Sequence, residues 1–207
     1  MAFGRAALVG GFVLLAAACG GAADPSPSGV AADPGGTVTI PNHGGRMEGH
    51  TPTGFAGSGT GLFVGDNLNS SFPEGQGVQT FLTFQVDADL DIGSAVLVSK
   101  VLQTVGTPFD DLGDLLAERI EYQGFGPELF DLAASAEPVH CRVTDGTVAC
   151  DVTNAVERAV EDGHGTVQFR LRFEEVADND GDPDLALFYR SDSNTNEPGL
   201  FKLVVTP

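Results

Sequence analysis

The chain has 207 residues, in which 29 Asp and Glu outnumber 10 Lys and Arg, giving a formal net charge of −19. A chain this acidic lacks the basic patch that would neutralise phosphates. Nucleic-acid binding is therefore excluded. The same charge argues against electrostatic adhesion to an anionic membrane surface.

The N-terminus predicts a lipoprotein signal peptide over residues 1–18. Arg5 precedes an apolar run, residues 6–18, which is shorter than the roughly 20 apolar residues that a membrane-spanning helix needs. Residues 15–19 (LAAAC) resemble the lipobox of bacterial lipoproteins. The resemblance implies cleavage before Cys19 and a diacylglycerol on its thiol. The alternative is an ordinary secretory signal peptide in which this cysteine occurs by chance.

Residues 19–36 are predicted to be the lipidated cysteine followed by a disordered tether. After Cys19 the segment is almost entirely Gly, Ala, Pro, Ser and Asp, so it buries too little apolar surface to offset its chain entropy. About 17 such residues reach roughly 20–25 Å. These features predict an extracytoplasmic protein, lipid-anchored to the cell membrane or outer membrane, whose folded domain spans residues 37–207.

The domain has the two-residue periodicity of β-strands. In the clearest strand, residues 166–173, apolar side chains alternate with Gln168, Arg170 and Arg172. Further strands are predicted over residues 37–40, 62–64, 81–86, 94–105, 115–122, 139–144, 147–152, 185–190 and 201–206. Many short strands separated by glycine-rich or acidic turns predict an all-β sandwich or barrel.

One short helix interrupts the strand pattern, over residues 155–162. Asn154 is the expected N-cap, Glu157 completes a capping box, and Gly163 ends the helix. Residues 128–134 also allow a turn of helix.

Lipidation of Cys19 leaves Cys141 and Cys150 as a pair. Between them, Asp145-Gly146 favours a two-residue type I′ hairpin turn. Counting outward from this turn places the two cysteines opposite each other at a non-hydrogen-bonded position, where side chains approach most closely. The sequence therefore predicts a disulfide, formed in an oxidising compartment. The alternative is two free buried thiols.

Four short motifs follow one another between residues 50 and 206. They are residues 55–65 (FAGSGTGLFVG), 79–84 (QTFLTF), 150–153 (CDVT, before the helix) and 191–205 (a Ser-to-Pro loop, then LFKLVV). Their order resembles the DNRLRE, or disaggregatase-related, domain family of secreted modules. The resemblance implies a jelly-roll-like antiparallel β-sandwich and, as in some members of that family, carbohydrate binding.

An acidic run, DNDGDPD, is the candidate metal site, with Ca²⁺ as the cofactor. Its carboxylates occur at every second position, and Ca²⁺ takes six to eight oxygen ligands. The candidate ligands are Asp178, Asp180, Asp182 and Asp184. The alternative is a solvated acidic loop between two strands. The four histidines are scattered along the chain, which favours surface or loop roles over zinc binding.

Tyr122 is the candidate platform for a sugar, whose apolar face packs on a flat ring. The chain has no Trp, two Tyr and 14 Phe, and phenylalanines in alternating strands mostly belong to the core. The alternative is that Tyr122 is a partly buried packing residue.

These features together predict a non-catalytic cell-envelope lipoprotein whose β-sandwich binds a glycan or another envelope component. The expected partners are the membrane, through the lipid anchor, and a polysaccharide or envelope protein. The alternative is a structural or protein-interaction lipoprotein domain without carbohydrate affinity, which the absence of Trp favours. A nucleophile elbow and a glycine-rich phosphate loop are both missing from the sequence. A glycosidase would need two carboxylates about 5–9.5 Å apart in a cleft.

Overall fold

The computed structural model describes residues 38–41, 48–50, 56–58, 61–68, 77–124, 126–190 and 201–207, all within the unit Ala32–Pro207. The predicted signal peptide (1–18), Cys19 and the tether (19–36) lie outside these residues. Among the residues described, no helix is both long enough and apolar enough to cross a membrane.

Short strands make up most of the described chain. They are β1 (Val38–Pro41), β2 (Glu48–His50), β3 (Ala56–Ser58), β4 (Gly61–Asp66), β5 (Gly77–Gln85), β6 (Ser94–Lys100), β7 (Gln103–Val105), β8 (Leu115–Arg119), β9 (Val139–His140), β10 (Arg142–Thr144), β11 (Thr147–Asp151), β12 (Thr166–Phe173), β13 (Asp184–Arg190) and β14 (Lys202–Thr206). The helices are α1 (Pro108–Asp111), α2 (Thr153–Glu161) and a 3₁₀ helix (Pro127–Leu129).

The strands form two antiparallel sheets. The smaller sheet has the order β1-β14-β6-β11-β10, and the larger has β7-β13-β4-β5-β12-β8-β9, with β2 pairing β3 and β5. The first and last of the described strands are neighbours in the smaller sheet, and the chain crosses between the two sheets several times. This confirms the predicted all-β, jelly-roll-like sandwich. The single-turn helix α1 adds to the one short helix that was expected.

The main core combines side chains from both sheets. Leu97, Leu203 and Val205 of the smaller sheet belong to the same buried cluster as Phe84 and Phe169 of the larger. The strand predicted over residues 166–173 is confirmed as β12, with its apolar face buried. Burying one such large apolar side chain contributes about 1.5–3 kcal/mol, so the alternation fixes which face of each strand points inward.

A second, smaller apolar cluster lies on the other face of the larger sheet. It consists of Phe81, Ile120 and Leu129, with Tyr122 and Leu132 packed against it. The chain between β8 and β9, which contains the 3₁₀ helix, supplies four of these five residues. This face of the sheet is therefore covered by its own connecting loop.

The covering loop also buries a charged network. Arg170 donates from Nε to Glu118 Oε2 at 2.7 Å, and Arg172 donates from Nε to Glu118 Oε1 at 2.9 Å. Arg170 Nη1 donates to the carbonyls of Leu129 and Phe130 at 3.2 and 2.8 Å. Since Glu118 and Arg170 are buried, these contacts supply the partners that a buried charge requires.

The predicted disulfide hairpin is confirmed. Asp145 and Gly146 have φ values of 52° and 73°, as a type I′ turn requires. Thr144 faces Thr147 in β11, and Cys141 is bonded to Cys150 with a Cα–Cα distance of 4.2 Å. The short separation matches the non-hydrogen-bonded position expected from the register.

The predicted N-terminal cap of the helix is wrong. The helix α2 begins at Thr153 rather than at residue 155, and its N-cap, Val152, makes no side-chain cap bond. Asp151 Oδ1 accepts the Thr153 N–H at 3.2 Å, and the Thr153 hydroxyl accepts the Ala95 N–H at 2.9 Å. Contacts with β6 therefore start the helix early, which places Asn154 inside it.

The C-terminal end of α2 agrees with the sequence. Gly163 has a φ of 74°, and the His164 N–H donates to the Ala159 carbonyl at 2.8 Å. This is the Schellman arrangement, in which glycine takes the left-handed position at the helix end. The predicted role of Gly163 is confirmed.

The strand predicted over residues 94–105 is two strands, β6 and β7, in different sheets. Between them, the Val101 N–H donates to Gly146 and the Leu102 N–H donates to Leu187, both at 2.8 Å. The chain therefore crosses from the smaller sheet to the larger one without losing its extended backbone, which is why the sequence pattern continues across the break.

Candidate functional site

The acidic run forms a tightly turned loop between β12 and β13. Asp178 Oδ1 accepts the Asp180 N–H at 3.3 Å, and Asp180 Oδ1 accepts the Asp182 N–H at 2.8 Å. Gly181 has a φ of 102°, which only glycine adopts readily. These turns fold the loop back toward Asp184, the first residue of β13.

Three of the four predicted metal ligands come together. One carboxylate oxygen from each of Asp178, Asp180 and Asp184 lies within 4.8 Å of the other two. We call these three residues the acidic cluster. Asp184 is buried, and Asp182 is not a member of the group that these oxygens form.

Strand β4 brings a further carboxylate, Asp66, beside the acidic cluster. Asp66 is the cross-strand partner of Asp184, so the two side chains project on the same side of the sheet. Their exposed fractions are only 1% and 2%. Asp66 Oδ1 accepts the Leu68 N–H at 3.0 Å, and Asp184 Oδ1 accepts the Thr107 N–H at 2.6 Å. Sequence reasoning missed Asp66 because its pairing with β13 leaves no local signal.

The electrostatics of the acidic cluster together with Asp66 are unfavourable without a cation. Burial raises the pKa of Asp184, and repulsion from Asp111, Asp178 and Asp180 raises it further, against the Thr107 hydrogen bond. Burial and carboxylate repulsion likewise raise the pKa of Asp66. Within the described part of the chain, no ion pair joins the acidic cluster or Asp66 to a basic side chain.

A pocket of about 430 Å³ opens between the end of β8, the start of β12 and the turn after α2. Its lining is mainly polar and includes Arg119, Glu121, Tyr122, Gln123, His164 and Gln168. The pocket and the acidic cluster lie toward opposite ends of β12. We call this pocket the Tyr122 pocket.

Internal contacts hold the Tyr122 ring in place. Its hydroxyl lies 3.1 Å from Thr83 Oγ1, and its backbone N–H donates to Gln168 Oε1 at 2.9 Å. The ring meets Phe81 edge to face, with the centroids 6.0 Å apart. The structure thus places Tyr122 half-buried in the pocket wall, with features of both a platform and a packing residue.

Charged and amide groups complete the pocket. Arg119 Nη2 donates to Glu121 Oε1 at 3.2 Å and lies 3.8 Å from Asp162 Oδ2. Gln168 Nε2 donates to Thr83 Oγ1 at 3.4 Å. These contacts orient the Arg119 guanidinium and the Gln168 amide in the pocket wall.

Flat exposed aromatic surface is missing from the part of the chain whose burial is described. There, every aromatic ring is buried or half-buried, and the exposed large apolar side chains are Val105 and Val143. Tyr122 is one of the half-buried aromatic residues, and it lines the Tyr122 pocket.

Comparison with known proteins adds no relative: no protein-family model matches the sequence, and no curated protein matches it significantly. The resemblance to the DNRLRE family stays a prediction. Of its four motifs, residues 79–84 form part of β5, residues 150–153 lead into α2, and residues 55–65 include β3 and most of β4. Most of the fourth motif, residues 191–200, lies outside the described residues.

Proposed function

We propose that this protein is a non-catalytic, lipid-anchored cell-envelope protein whose β-sandwich binds a glycan in the Tyr122 pocket. The observation that carries the proposal is the pairing of a fixed aromatic ring with convergent polar side chains in one pocket. The lipobox resemblance at Cys19 and the Cys141–Cys150 disulfide, which belongs to an oxidising compartment, support the location.

A sugar matches the chemistry of the pocket wall. Its C–H face packs on an aromatic ring, while its hydroxyls bond amide, carboxylate and guanidinium groups such as those of Gln168, Glu121 and Arg119. The volume of about 430 Å³ lies within the roughly 300–1,000 Å³ range of small-ligand sites. The acidic net charge favours a neutral or basic glycan over an acidic one.

The cofactor of this proposal is Ca²⁺ at the acidic cluster. Hard carboxylate oxygens suit Ca²⁺, and a buried negative charge needs a partner. Among the residues that the structure describes, the Asp66 carboxylate accepts a hydrogen bond only from the Leu68 N–H, and the Asp184 carboxylate only from the Thr107 N–H. Since the acidic cluster and the Tyr122 pocket lie toward opposite ends of β12, the ion stabilises the sandwich and does not touch the glycan.

The experiment is a polysaccharide panel probed with the purified protein and two variants. Tyr122→Ala removes the ring, and affinity for any glycan bound should fall about tenfold or more. Tyr122→Phe keeps the ring and loses the hydroxyl that contacts Thr83, so it should retain most of the binding. Equal binding by Tyr122→Ala, with its melting temperature unchanged, would place the glycan elsewhere.

A structural or protein-interaction role without sugar affinity is the second candidate. The observation that favours it is the internal engagement of Tyr122 by Thr83 and Phe81, together with the lack of Trp in the chain. No binding across a broad panel by folded protein would select this role, and crosslinking in intact cells would then identify its envelope partner.

A further inference from the structure

Three side chains that commonly bind metals meet where strands of the larger sheet end. Glu174 follows β12, Asp114 precedes β8, and His140 is the last residue of β9. One ligand atom of each lies within 4.8 Å of the other two. The sheet holds this arrangement, because the Glu174 N–H donates to the Asp114 carbonyl at 3.1 Å and His140 pairs with Leu116.

Two distances between the ligand atoms bracket the separation expected around a small divalent ion. His140 Nδ1 lies 2.8 Å from Asp114 Oδ2 and 3.9 Å from Glu174 Oε1. Zinc bonds to nitrogen and oxygen of about 2.0–2.2 Å in a tetrahedron put neighbouring ligands roughly 3.4 Å apart. The observed distances lie on either side of this value, so small side-chain movements would complete the coordination.

The Glu174 carboxylate is already oriented toward the other two ligands. Its Oε2 accepts the Asp114 N–H at 3.2 Å. Gly113 has a φ of 78°, and a Cβ at this position would come within 2.4 Å of the same Oε2. Glycine thus leaves room for the carboxylate. The nearby Arg172 donates to the Glu174 carbonyl, while its charge is paired with Glu118.

We propose that Asp114, His140 and Glu174 form a surface site for a divalent transition metal of the Zn²⁺ class. Imidazole is a ligand of Zn²⁺, Cu²⁺ and Ni²⁺, whereas Ca²⁺ and Mg²⁺ take oxygen ligands. The three side chains are 63%, 59% and 46% exposed respectively, so water completes the coordination. The bound metal ties together β8, β9 and β12 next to the disulfide at Cys141.

The test is thermal unfolding of the chelator-stripped, untagged protein with added Zn²⁺, Ca²⁺ or Mg²⁺. At a free Zn²⁺ concentration 100 times Kd, we expect the melting temperature to rise by roughly 5–10 °C. Bound Co²⁺, used as a spectroscopic probe, should give the visible absorption of a site with a nitrogen ligand, at one ion per chain. In His140→Gln and Glu174→Gln both signals should disappear, whereas the exposed control Asp131→Asn should keep them.

The acidic cluster supplies a second control, because Asp184→Asn should lose the response to Ca²⁺ and keep the response to Zn²⁺. A Zn²⁺ response that survives in His140→Gln and Glu174→Gln would overturn the proposal. So would an equal response of Asp184→Asn, in which the acidic cluster is disabled, to Mg²⁺ and to Zn²⁺, since His140 and Asp114 would then be only a hydrogen-bonded surface pair.

Discussion

Glu118 lies between two guanidinium groups on a face of the larger sheet that strand alternation alone assigns to solvent. The sequence predicts that Gln168, Arg170 and Arg172 share a face, and they do. It does not predict that the loop after β8 covers that face, because the contacts are made by backbone carbonyls of Leu129 and Phe130. Whether a charge is buried is decided here by a loop with no periodic signal.

Replacing Glu118 by Gln should strongly destabilise the protein. Arg170 would remain buried without a counter-charge, a loss typically of about 3–5 kcal/mol in unfolding free energy. Glu121→Gln is the matched control, because the side chain of Glu121 is 59% exposed and such surface pairs contribute about 1 kcal/mol or less. Urea denaturation of both variants makes the comparison, and equal losses would contradict the importance of the buried pair.

The carboxylates Asp66 and Asp184 should make the stability of the metal-free protein depend on pH. Their pKa values are raised above the ordinary 3.8, so the folded state binds more protons than the unfolded state between the ordinary and the raised values. Their contribution to the unfolding free energy therefore falls as pH rises through that window. Ca²⁺ binds the ionised form, so the stabilisation it gives should grow over the same range.

Melting curves with chelator and with Ca²⁺, recorded from pH 4 upward, measure this dependence. In Asp184→Asn the fall with pH should be smaller and the Ca²⁺ response should be lost. Asp182→Asn is the control in the same loop, since Asp182 is outside the acidic cluster. If both variants kept a full Ca²⁺ response, the ion would bind elsewhere.

At the level of elements, local turn chemistry was predictable from the sequence and contacts between elements were not. Asp145-Gly146 sets the hairpin and its register, and Gly163 ends α2. The start of α2 depends instead on Thr153 contacting β6. The carboxylates of the proposed Ca²⁺ site show the same division: Asp178 and Asp180 belong to one visible run, while Asp66 joins them only through the pairing of β4 with β13.

Breaking the disulfide should lower the unfolding free energy by about 2–3 kcal/mol, as the chain-entropy model gives for so short a closed loop. The measurement is urea denaturation with and without a reducing agent. The variant Cys141→Ser/Cys150→Ser is the control, and it should be equally destabilised yet insensitive to reduction. An unchanged midpoint on reduction of the native protein would mean that the bond does not stabilise the fold.

At the scale of the whole molecule, alternation and turns predicted the sandwich but not the order of its strands. Which strands pair depends on contacts between distant parts of the chain, such as β1 with β14 at the two ends of the domain. That order brings together Tyr122, Gln168 and His164, which are far apart in sequence, in one pocket. Sequence reasoning therefore selected Tyr122 without the polar residues around it.

The lipid anchor is a prediction about the whole protein. In cells producing the full chain, the native protein should fractionate with membranes and incorporate labelled fatty acid. Cys19→Ser should abolish the label. Retention of the label in Cys19→Ser would contradict lipidation at this cysteine, while soluble native protein would favour an ordinary secretory signal peptide.

Glycan binding beside Tyr122 is tested most directly by tyrosine fluorescence. The chain has no Trp and only two Tyr, so the variant Tyr189→Phe leaves Tyr122 as the single strong fluorophore. Titration of this variant with a polysaccharide that the native protein binds should change the emission saturably. The emission change should be half complete at the polysaccharide concentration that half-saturates binding. Saturable binding with no change in emission would contradict contact with Tyr122, and the absence of any bound polysaccharide would contradict glycan binding itself.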